Sequence, residues 1–580
     1  MKTTLAAILA LSLAAAAEAQ TGTINQLFAF TCGGGIGSQT CPQGARPDLI
    51  IQASDGNFYG GAQVTDEGVS DPQGGTLFKL TPTGQFTKLF TFTQNSSGQF
   101  LNGNNPVNGF VEANDGFLYG TTFNGGEQND GVLFRISKTG TGFKVLHSFC
   151  SSANCADGSI PNGLLLGQDG NLYGTTLEGG SSLSPCPGSG CGTIFRFEPT
   201  TGAFAVLHRL AAVADGVQPS GMIQATNGNF YGVSQGLDVD SFNEDIFQFT
   251  PAGKFTVQFK SVLFDTGISG LAQGANGDLY GAFESITAGE INFFEVSTDG
   301  TGFRAFAPFT TLAGMSNIPS LFLASDGNLW DTNFTDAVAP SGSVFSINPE
   351  DGAVLQTFPF DGANGNQPET SVIQAADGTI VGTTELGGTI SGGGQKFADG
   401  TVWTLDAGLP PPVPAITLLN PTSGSVGSTV LINGNNFVGT TRVNFNGVSA
   451  SFKVLNIQFI SATVPGGYHG SRHCDKRRRF GQQHSTVHCQ LTRMPQRRLP
   501  ANLATRASAR VAPPRQRRSR KGDGVPSPCV EVMEVAENKE SKSIPPMVCS
   551  AMRYNTVELL VRFGGIFDEN SGACRRTGAP

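Results

Sequence analysis

Short apolar runs separated by Gly-rich polar turns organise the chain, and Asn108–Phe149 shows the unit. It reads NGFVEANDGFLYGTTFNGGEQNDGVLFRISKTGTGFKVLHSF. Four β-like runs sit in it: Gly109–Ala113, Leu118–Thr122, Val132–Ser137 and Phe143–Phe149. Asp115-Gly116 joins the first two, a strong hairpin signal because both turn residues can take positive φ. Thr139-Gly140 marks the turn before the last run. One such unit is a four-stranded meander with no second layer to bury its faces, so it needs neighbours.

The chain supplies them. The hairpin signal recurs at Asp55-Gly56, Asp169-Gly170, Asn227-Gly228, Asn276-Gly277, Asp326-Gly327 and Asp377-Gly378. A second strand follows each turn (FYGGA, FLYGTT, LYGTT, FYGVS, LYGAF, LWDTN, IVGTT), then a third of the type TLFKLTP or TIFRFEP. Seven units carry first, second and third strands, but a fourth strand of the type FTKLFTF or FKVLHSF follows only six. The missing one lies at the other end of the chain. Thr23–Thr31 reads TINQLFAFT and matches FTKLFTFT, with no unit before it. Lending this strand to the last unit removes exposed edges, which predicts an all-β, seven-bladed β-propeller over residues 20–408 rather than an open solenoid.

With the first strand innermost, strand direction assigns two faces. The Asp/Asn-Gly and Thr-Gly turns fall on one, the turn face. The long, variable connections fall on the other, the loop face, where a rigid scaffold usually carries binding residues. Three close cysteine pairs, Cys32/Cys41, Cys150/Cys155 and Cys186/Cys191, map to the loop face and predict loop-stiffening disulfides. No CxxC or clustered His accompanies them, so no metal is expected there.

Met1–Gln20 (MKTTLAAILALSLAAAAEAQ) has a basic start, an apolar run and an Ala17-Glu18-Ala19 cleavage site, which predicts a secretory signal over residues 1–19 and export. Disulfides suit that destination. No later run is apolar and long enough to span a bilayer, so no membrane insertion is expected.

Leu409–Pro414 (LPPPVP) predicts a stiff linker. Beyond it, Ala415–Val464 changes style, with runs such as TVLINGNNF, RVNFNG and ISATV. Pro421-x-x-Gly424, Gly427, Val430-x-Ile432-x-Gly434-x-x-Phe437 and Val443-x-Phe445-x-Gly447 resemble the TIG (IPT) immunoglobulin-like domain, cut short at residue 467. That resemblance implies a stalk or spacer. The pattern DGNLYGTT…GG…GTIFRFEP…G.F.VLH resembles the GloVer-type tandem repeats of secreted bacterial proteins and, more distantly, the propeller repeats of two-component sensors. It implies fold and export.

After Gly467 the composition inverts. Residues 1–467 hold 15 Lys/Arg against 36 Asp/Glu, whereas residues 468–580 hold 21 against 9. Arg477–Arg479 and Arg515–Lys521 have the look of a nucleic-acid tail, yet an exported acidic propeller has no use for one. Reverse translation of Tyr468–Gln490, read one nucleotide later, permits TTGVATVTSAGGSGSSTAPFTV, the expected end of a TIG domain. Residues 468–580 are therefore read as a disordered basic tail out of frame, with no nucleic-acid partner. Cys474, Cys489, Cys529, Cys549 and Cys574 then carry no function.

Catalytic constellations are sparse. His147 and His208 occupy matching fourth-strand positions and read as scaffold. HExxH and phosphate-cradling loops do not occur, and the GxSxG string Gly232–Gly236 falls in a second strand of the repeat rather than at a strand-to-helix elbow. Turn chemistry accounts for Asp115 and its equivalents without calcium. Asn124 (TTFNGG), Glu178 (TTLEGG) and Glu385 (TTELGG) leave second strands toward the loop face and are the candidate ligand-binding residues. Two carboxylates there also admit glycoside hydrolysis, which needs an acid and a base or nucleophile at a set separation. Two classes thus stand: an exported non-catalytic binding or structural module, and a carbohydrate-active propeller enzyme. The first is the expectation. Its partner would be a polysaccharide or another surface protein on the loop face, with no cofactor and a monomeric state.

Overall fold

The computed structural model describes residues 22–466, apart from 33–38, 68–73, 181–185, 187–188, 236–243, 261–263, 267, 269, 286–290, 307–320, 335–338, 369, 390–398, 423 and 446, together with 489–492 and 557–559. The leader expected over residues 1–19, and most of the basic tail, lie outside the described residues. The fold is all-β: among the described residues, helix is confined to single turns at Ala153–Cys155 and Ala212–Asp215.

Between residues 24 and 405 the described strands form seven sheets. Sheet 1 is Gln39–Gln52, Phe58–Glu67, Thr76–Leu80 and Phe86–Thr91. Sheet 2 is Asn104–Glu112, Phe117–Asn124, Val132–Ser137 and Lys144–Ser148. Sheet 3 is Ser159–Leu166, Leu172–Glu178, Thr193–Glu198 and Ala203–Arg209. Sheets 4 and 6 repeat the meander around Phe230–Gln235 and Leu329–Asn333. In sheet 5 both Phe264–Thr266 and Ala272–Gln273 pair with Leu279–Ser285. Sheet 7 is Ile373–Gln374, Ile380–Thr384 and Thr401–Leu405, and its fourth strand is Ile24–Ala29. That strand runs antiparallel, from Ile24 opposite Leu405 to Ala29 opposite Thr401.

One meander cannot bury both faces, and the core shows how neighbours do it. Tyr59 and Leu77 of sheet 1 pack with Phe110 and Phe134 of sheet 2. Tyr119 and Phe149 of sheet 2 pack with Phe195 of sheet 3. The pattern runs on through every successive pair of sheets. It also joins the ends of the series, since Phe30, Val381 and Val402 of sheet 7 share a cluster with Ile50, Phe58 and Phe78 of sheet 1. Each fully buried Phe or Tyr contributes about 1.5–3 kcal/mol, so these seams hold the fold. The first strands of sheets 1 and 2, of sheets 2 and 3 and of sheets 5 and 6 touch one another, which puts them innermost there.

A ladder of stacked rings runs around the outer strands. Phe28 stacks on Phe86, Phe90 on Phe143, His147 on Phe204, His208 on Phe255 and Phe259 on Phe303, each ring reaching the next sheet. The two histidines thus hold places that phenylalanine holds elsewhere, which is the scaffold role expected of them.

The immunoglobulin-like domain has one sheet of Ala415–Asn420, Thr429–Asn435, Phe459–Thr463 and Phe452–Val454. A second holds Val448–Ser449, Arg442–Phe445, Cys489–Thr492 and Val557–Leu559. The last two strands belong to the stretch expected to be disordered. They add to Arg442–Phe445, whose free edge accepts a strand.

The linker does not simply project this domain. The Pro410 carbonyl accepts hydrogen bonds from Ser325 Oγ and Gln374 Nε2. The domain then packs on the turns of sheets 2 and 3. Phe459 is fully buried among Ala113, Leu166 and their neighbours, and Asn456 Nδ2 donates to Asn114 Oδ1 over 2.8 Å. Asn433 Nδ2 donates to the Gln168 carbonyl. The domain is thus seated on the sheets rather than held off them by the linker.

Candidate functional site

The turn end of the sheets is saturated with internal bonds. Asp55, Asp115 and Asp169 each accept the hydroxyl of the tyrosine four residues on, over 2.7–2.8 Å. Asn227 and Asn276 donate to Tyr231 and Tyr280 at the same spacing. The turn aspartate therefore also tethers the next strand's aromatic ring, which the D-G-x-x-Y spacing would have revealed. Burial and the Asp55 carboxylate push the Tyr59 phenol far up.

A second device sits three residues before each turn. Gln52, Gln224, Gln273 and Gln374 donate to their own turn's glycine carbonyl. Each also accepts a backbone N–H of the neighbouring sheet, from Ala376, Gln168, Thr226 and Ser325 respectively. For Gln52 that neighbour is sheet 7. In sheet 2 the place is taken by buried Glu112, which accepts Ser54 N–H and Oγ–H and pairs with the Lys138 ammonium. In sheets 3 and 6 it is Leu166 and Leu323. Leu166 lies where the immunoglobulin-like domain docks.

The loop end is built by a backbone clasp. In or just before five first strands stands a residue in the left-handed region followed by proline: Arg46-Pro47, Asn105-Pro106, Ile160-Pro161, Gln218-Pro219 and Gln367-Pro368. Its N–H donates to a carbonyl of the neighbouring sheet: Asp399, Gly74, Asp130, Cys191 and Ser341 respectively, over 2.9–3.1 Å. The proline ring then lies on a glycine of that sheet, so that a side chain at Gly131 or Gly192 would collide with Pro161 or Pro219. Next to this clasp, Thr122, Thr176 and Thr384 each accept a third-strand N–H and donate to the carbonyl two residues on.

All three expected disulfides are formed: Cys32–Cys41, Cys150–Cys155 and Cys186–Cys191. Asp130, Cys150 and Cys155 cluster within ligand distance. The two sulfurs are bonded to each other and Asp130 accepts Ser159 Oγ–H over 2.6 Å, so the geometry offers no thiolate to a metal.

Asn124, Glu178 and Glu385 lie at the loop ends of second strands in sheets 2, 3 and 7. The threonine bonds fix their register. Thr122 and Thr176 donate to the carbonyls of Asn124 and Glu178, whereas Thr384 donates to that of Leu386. The counterpart of Glu178 in sheet 7 is therefore Leu386, and Glu385 stands one residue earlier. Glu178 closes its strand, whereas Glu385 lies just past the end of its strand, Ile380–Thr384, so the two are not a matched pair. Glu385 is further engaged in an ion pair with Arg46 of sheet 1 over 3.0 Å.

Other titratable groups brace loops. His147 Nε2 donates to Asp157 over 3.0 Å, and Asp157 also accepts Ser151 and Ser152 N–H. Burial lowers the His147 pKa despite its partner. Burial pushes the Asp157 carboxyl up, but the serine bonds and His147 outweigh it and hold it below the ordinary carboxylate value. His208 and Asp215 repeat the pair over 2.9 Å. Ser151 Oγ donates to Asp157, so it does not donate to the His147 imidazole.

Sequence reasoning missed two acids. Asp331 stands in LWDTN where the other second strands have glycine. It is fully buried, one oxygen accepts Thr332 N–H and the other has no hydrogen-bond partner. Burial pushes its pKa well above the usual value. Aligning the repeats exposes the exception at once. Glu244 accepts Ile268 N–H, and burial, followed by the Asp245 charge, moves it up to about 7. No periodic signal marks it.

Residues 46–285 match the family model described as the Gloeobacter/Verrucomicrobia repeat, and residues 414–476 match the IPT/TIG domain. The chain thus carries the repeat and the immunoglobulin-like domain that its motifs resemble. No curated protein matches it. Among solved structures, a fungal alcohol oxidase of the AA5 family in complex with copper is 12% identical, covering 80% of this chain and 97% of that one, with a TM-score of 0.41. An oligogalacturonate lyase from Vibrio parahaemolyticus is 10% identical over 66% and 93% of the two chains, TM-score 0.40. A gluconolactonase from Xanthomonas campestris is 16% identical over 51% and 84%, TM-score 0.32. Likeness at this level says nothing about activity.

Proposed function

We propose that the chain is an exported, non-catalytic binding module: a closed seven-bladed propeller whose loop face takes an extracellular ligand, with the immunoglobulin-like domain on the opposite face. Closure is supported by the Ile24–Ala29 strand on Thr401–Leu405, the Gln52 bond to Ala376, the Arg46–Glu385 ion pair and the core shared by sheets 7 and 1. Export is supported by the leader sequence and the three disulfides.

The observation that carries the binding reading is the contrast between the two ends. Turn-end polar groups are spent on tyrosines, glutamine bridges and the docked domain. The loop end carries braced loops and half-buried polar side chains on a rigid backbone. Bridged loops lose less entropy on binding. The unmatched positions of Glu178 and Glu385 favour binding over hydrolysis.

A polysaccharide screen of the purified protein tests this. Retention without bond cleavage is the expected result. Cleavage that disappears in Glu178→Gln or Glu385→Gln would replace the binder with a carbohydrate-active enzyme. Residues beyond Gly467 are read as out-of-frame sequence, which resequencing the locus through Tyr468 tests.

A further inference from the structure

Resting on the loop-face reading, we propose that Arg46, Asn105, Ile160, Gln218 and Gln367 form a specificity ring at the mouth of the innermost strands, and that the ring takes a neutral, hydroxyl-rich glycan.

The first observation is backbone strain. These five residues have φ between 51° and 59°. For a residue with a Cβ the left-handed conformation costs about 1–2 kcal/mol, and a following proline restricts it further. Glycine would supply the same N–H to the neighbouring sheet without that cost, and this chain has 78 glycines. None stands at any of the five places. Strain of this kind persists where the side chain is wanted.

The second observation is variety on a constant frame. The clasp bond and the proline recur from sheet to sheet, yet the side chain before the proline is a cation, an amide, an alkyl group and two further amides. The turn end, by contrast, keeps to Asp/Asn–Tyr tethers through sheets 1 to 5. All five side chains are half-buried, so each keeps some surface toward solvent.

The third observation is chemical. The Gln218 and Gln367 amides each offer a donor and an acceptor together, the pattern that reads adjacent sugar hydroxyls, and Asn105 adds its amide donor. The Asn105 amide oxygen, the Ser220 hydroxyl and the Asn366 amide oxygen are sheltered from water without a hydrogen-bond partner. Arg46 is paired with Glu385, so its charge is locally balanced. Residues 1–467 carry 36 acidic against 15 basic side chains, which repels a polyanion. Neutral hydroxyls are the chemistry that remains.

The test uses the full chain on an array of neutral and uronic-acid oligosaccharides, comparing the parent with an Asn105→Gly, Gln218→Gly, Gln367→Gly triple variant. We expect the parent to retain neutral glycans, and the triple variant to bind them at least tenfold more weakly with an unchanged or higher melting temperature. Parental affinity in the triple variant overturns the ring; if reducing the three disulfides still weakens binding, the loop-face reading survives that failure. A large drop in melting temperature would show that the side chains hold the seams, and would likewise overturn the ring. Retention of uronic-acid oligosaccharides alone, or of no glycan by the parent, overturns the ligand class. If the triple variant fails to fold, Gln218→Glu replaces it: side-chain length is kept and the amide donor becomes an acceptor. Weaker neutral-glycan binding by Gln218→Glu supports the ring, and parental affinity overturns it.

Discussion

At the turn end the repeat writes the same side chains again and again: an Asp or Asn bonded to the aromatic residue four places on, and a Gln bonded to the next sheet. At the loop end it writes the same backbone and lets the side chains differ, with Arg46, Asn105, Ile160, Gln218 and Gln367 on one clasp. Constant side chains cement; a constant backbone presents. The immunoglobulin-like domain is seated on the turns of sheets 2 and 3, where Glu112 and Leu166 stand in place of the Gln.

The strongest way to break this comparison is to unpair its frame. Deleting Ile24–Ala29 exposes the edge of Thr401–Leu405 and removes Ile24 and Phe28 from the seams, a loss of roughly 5 kcal/mol from apolar burial plus a free strand edge. The deleted protein is expected to aggregate or melt well below the parent in scanning calorimetry. If it melts like the parent, the Ile24–Ala29 strand does not hold the last sheet.

Next in size is the seat of the immunoglobulin-like domain. Phe459→Ala should cost about 3–5 kcal/mol at a fully buried site. Hydrogen exchange should rise at the turns after Ala113 and Gly167 and stay unchanged at those after Ala225 and Ala324. Uniform exchange would mean the domain does not rest on sheets 2 and 3.

At the loop end Glu244 carries a pH dependence of its own. Folded Glu244 holds its proton up to about pH 7, whereas an ordinary glutamate releases it near 4.5. Its contribution is thus present in full below pH 4.5 and lost as pH rises to about 7, by roughly 3 kcal/mol. Glu244→Gln keeps an acceptor for the Ile268 amide and should flatten the melting temperature across that window. A slope that survives the substitution assigns it elsewhere.

Asp331→Gly restores the residue that the other six second strands carry. It removes a buried carboxylate with an unpartnered oxygen, so it should stabilise by about 2 kcal/mol. Because burial raises the Asp331 pKa, the parent's disadvantage grows as pH rises above the ordinary carboxylate value. Destabilisation by the glycine in urea titration would show that the acid has a partner worth more than its burial costs.

The smallest effect concerns the bridges. Gln273→Ala removes two neutral hydrogen bonds at a partly buried site and should cost about 1 kcal/mol, measured in the same titration. Leu166→Gln, its mirror, should gain nothing, because the domain already covers that turn.

Much of this was legible in the chain. The Asp/Asn-Gly turns, the runs after them and TINQLFAFT reported strand count and pairing, because a hairpin turn and period-two patterning are local properties. The cysteine pairs were legible through short spacing. The docked domain was not, since Phe459 reads as an ordinary strand residue until Ala113 and Leu166 are brought beneath it. Nor was the mismatch of Glu178 and Glu385 seen, although TTLEGG and TTELGG differ visibly. Similar strings hid a one-residue offset in the register of the threonine bonds.

What the sequence determined by itself was therefore the repeated unit, its strands and its turns, each set by residues within a few positions of one another. What only the tertiary structure decided was the use of each residue. His147 became a rung in a stack of rings, Glu385 half of an ion pair with a residue more than three hundred positions away, and the residues before five prolines a set of strained positions at one mouth. The reason is physical. Local patterning sets backbone hydrogen bonds, whereas burial, charge pairing and strain depend on which distant surfaces meet, and those surfaces exist only once the sheets are assembled.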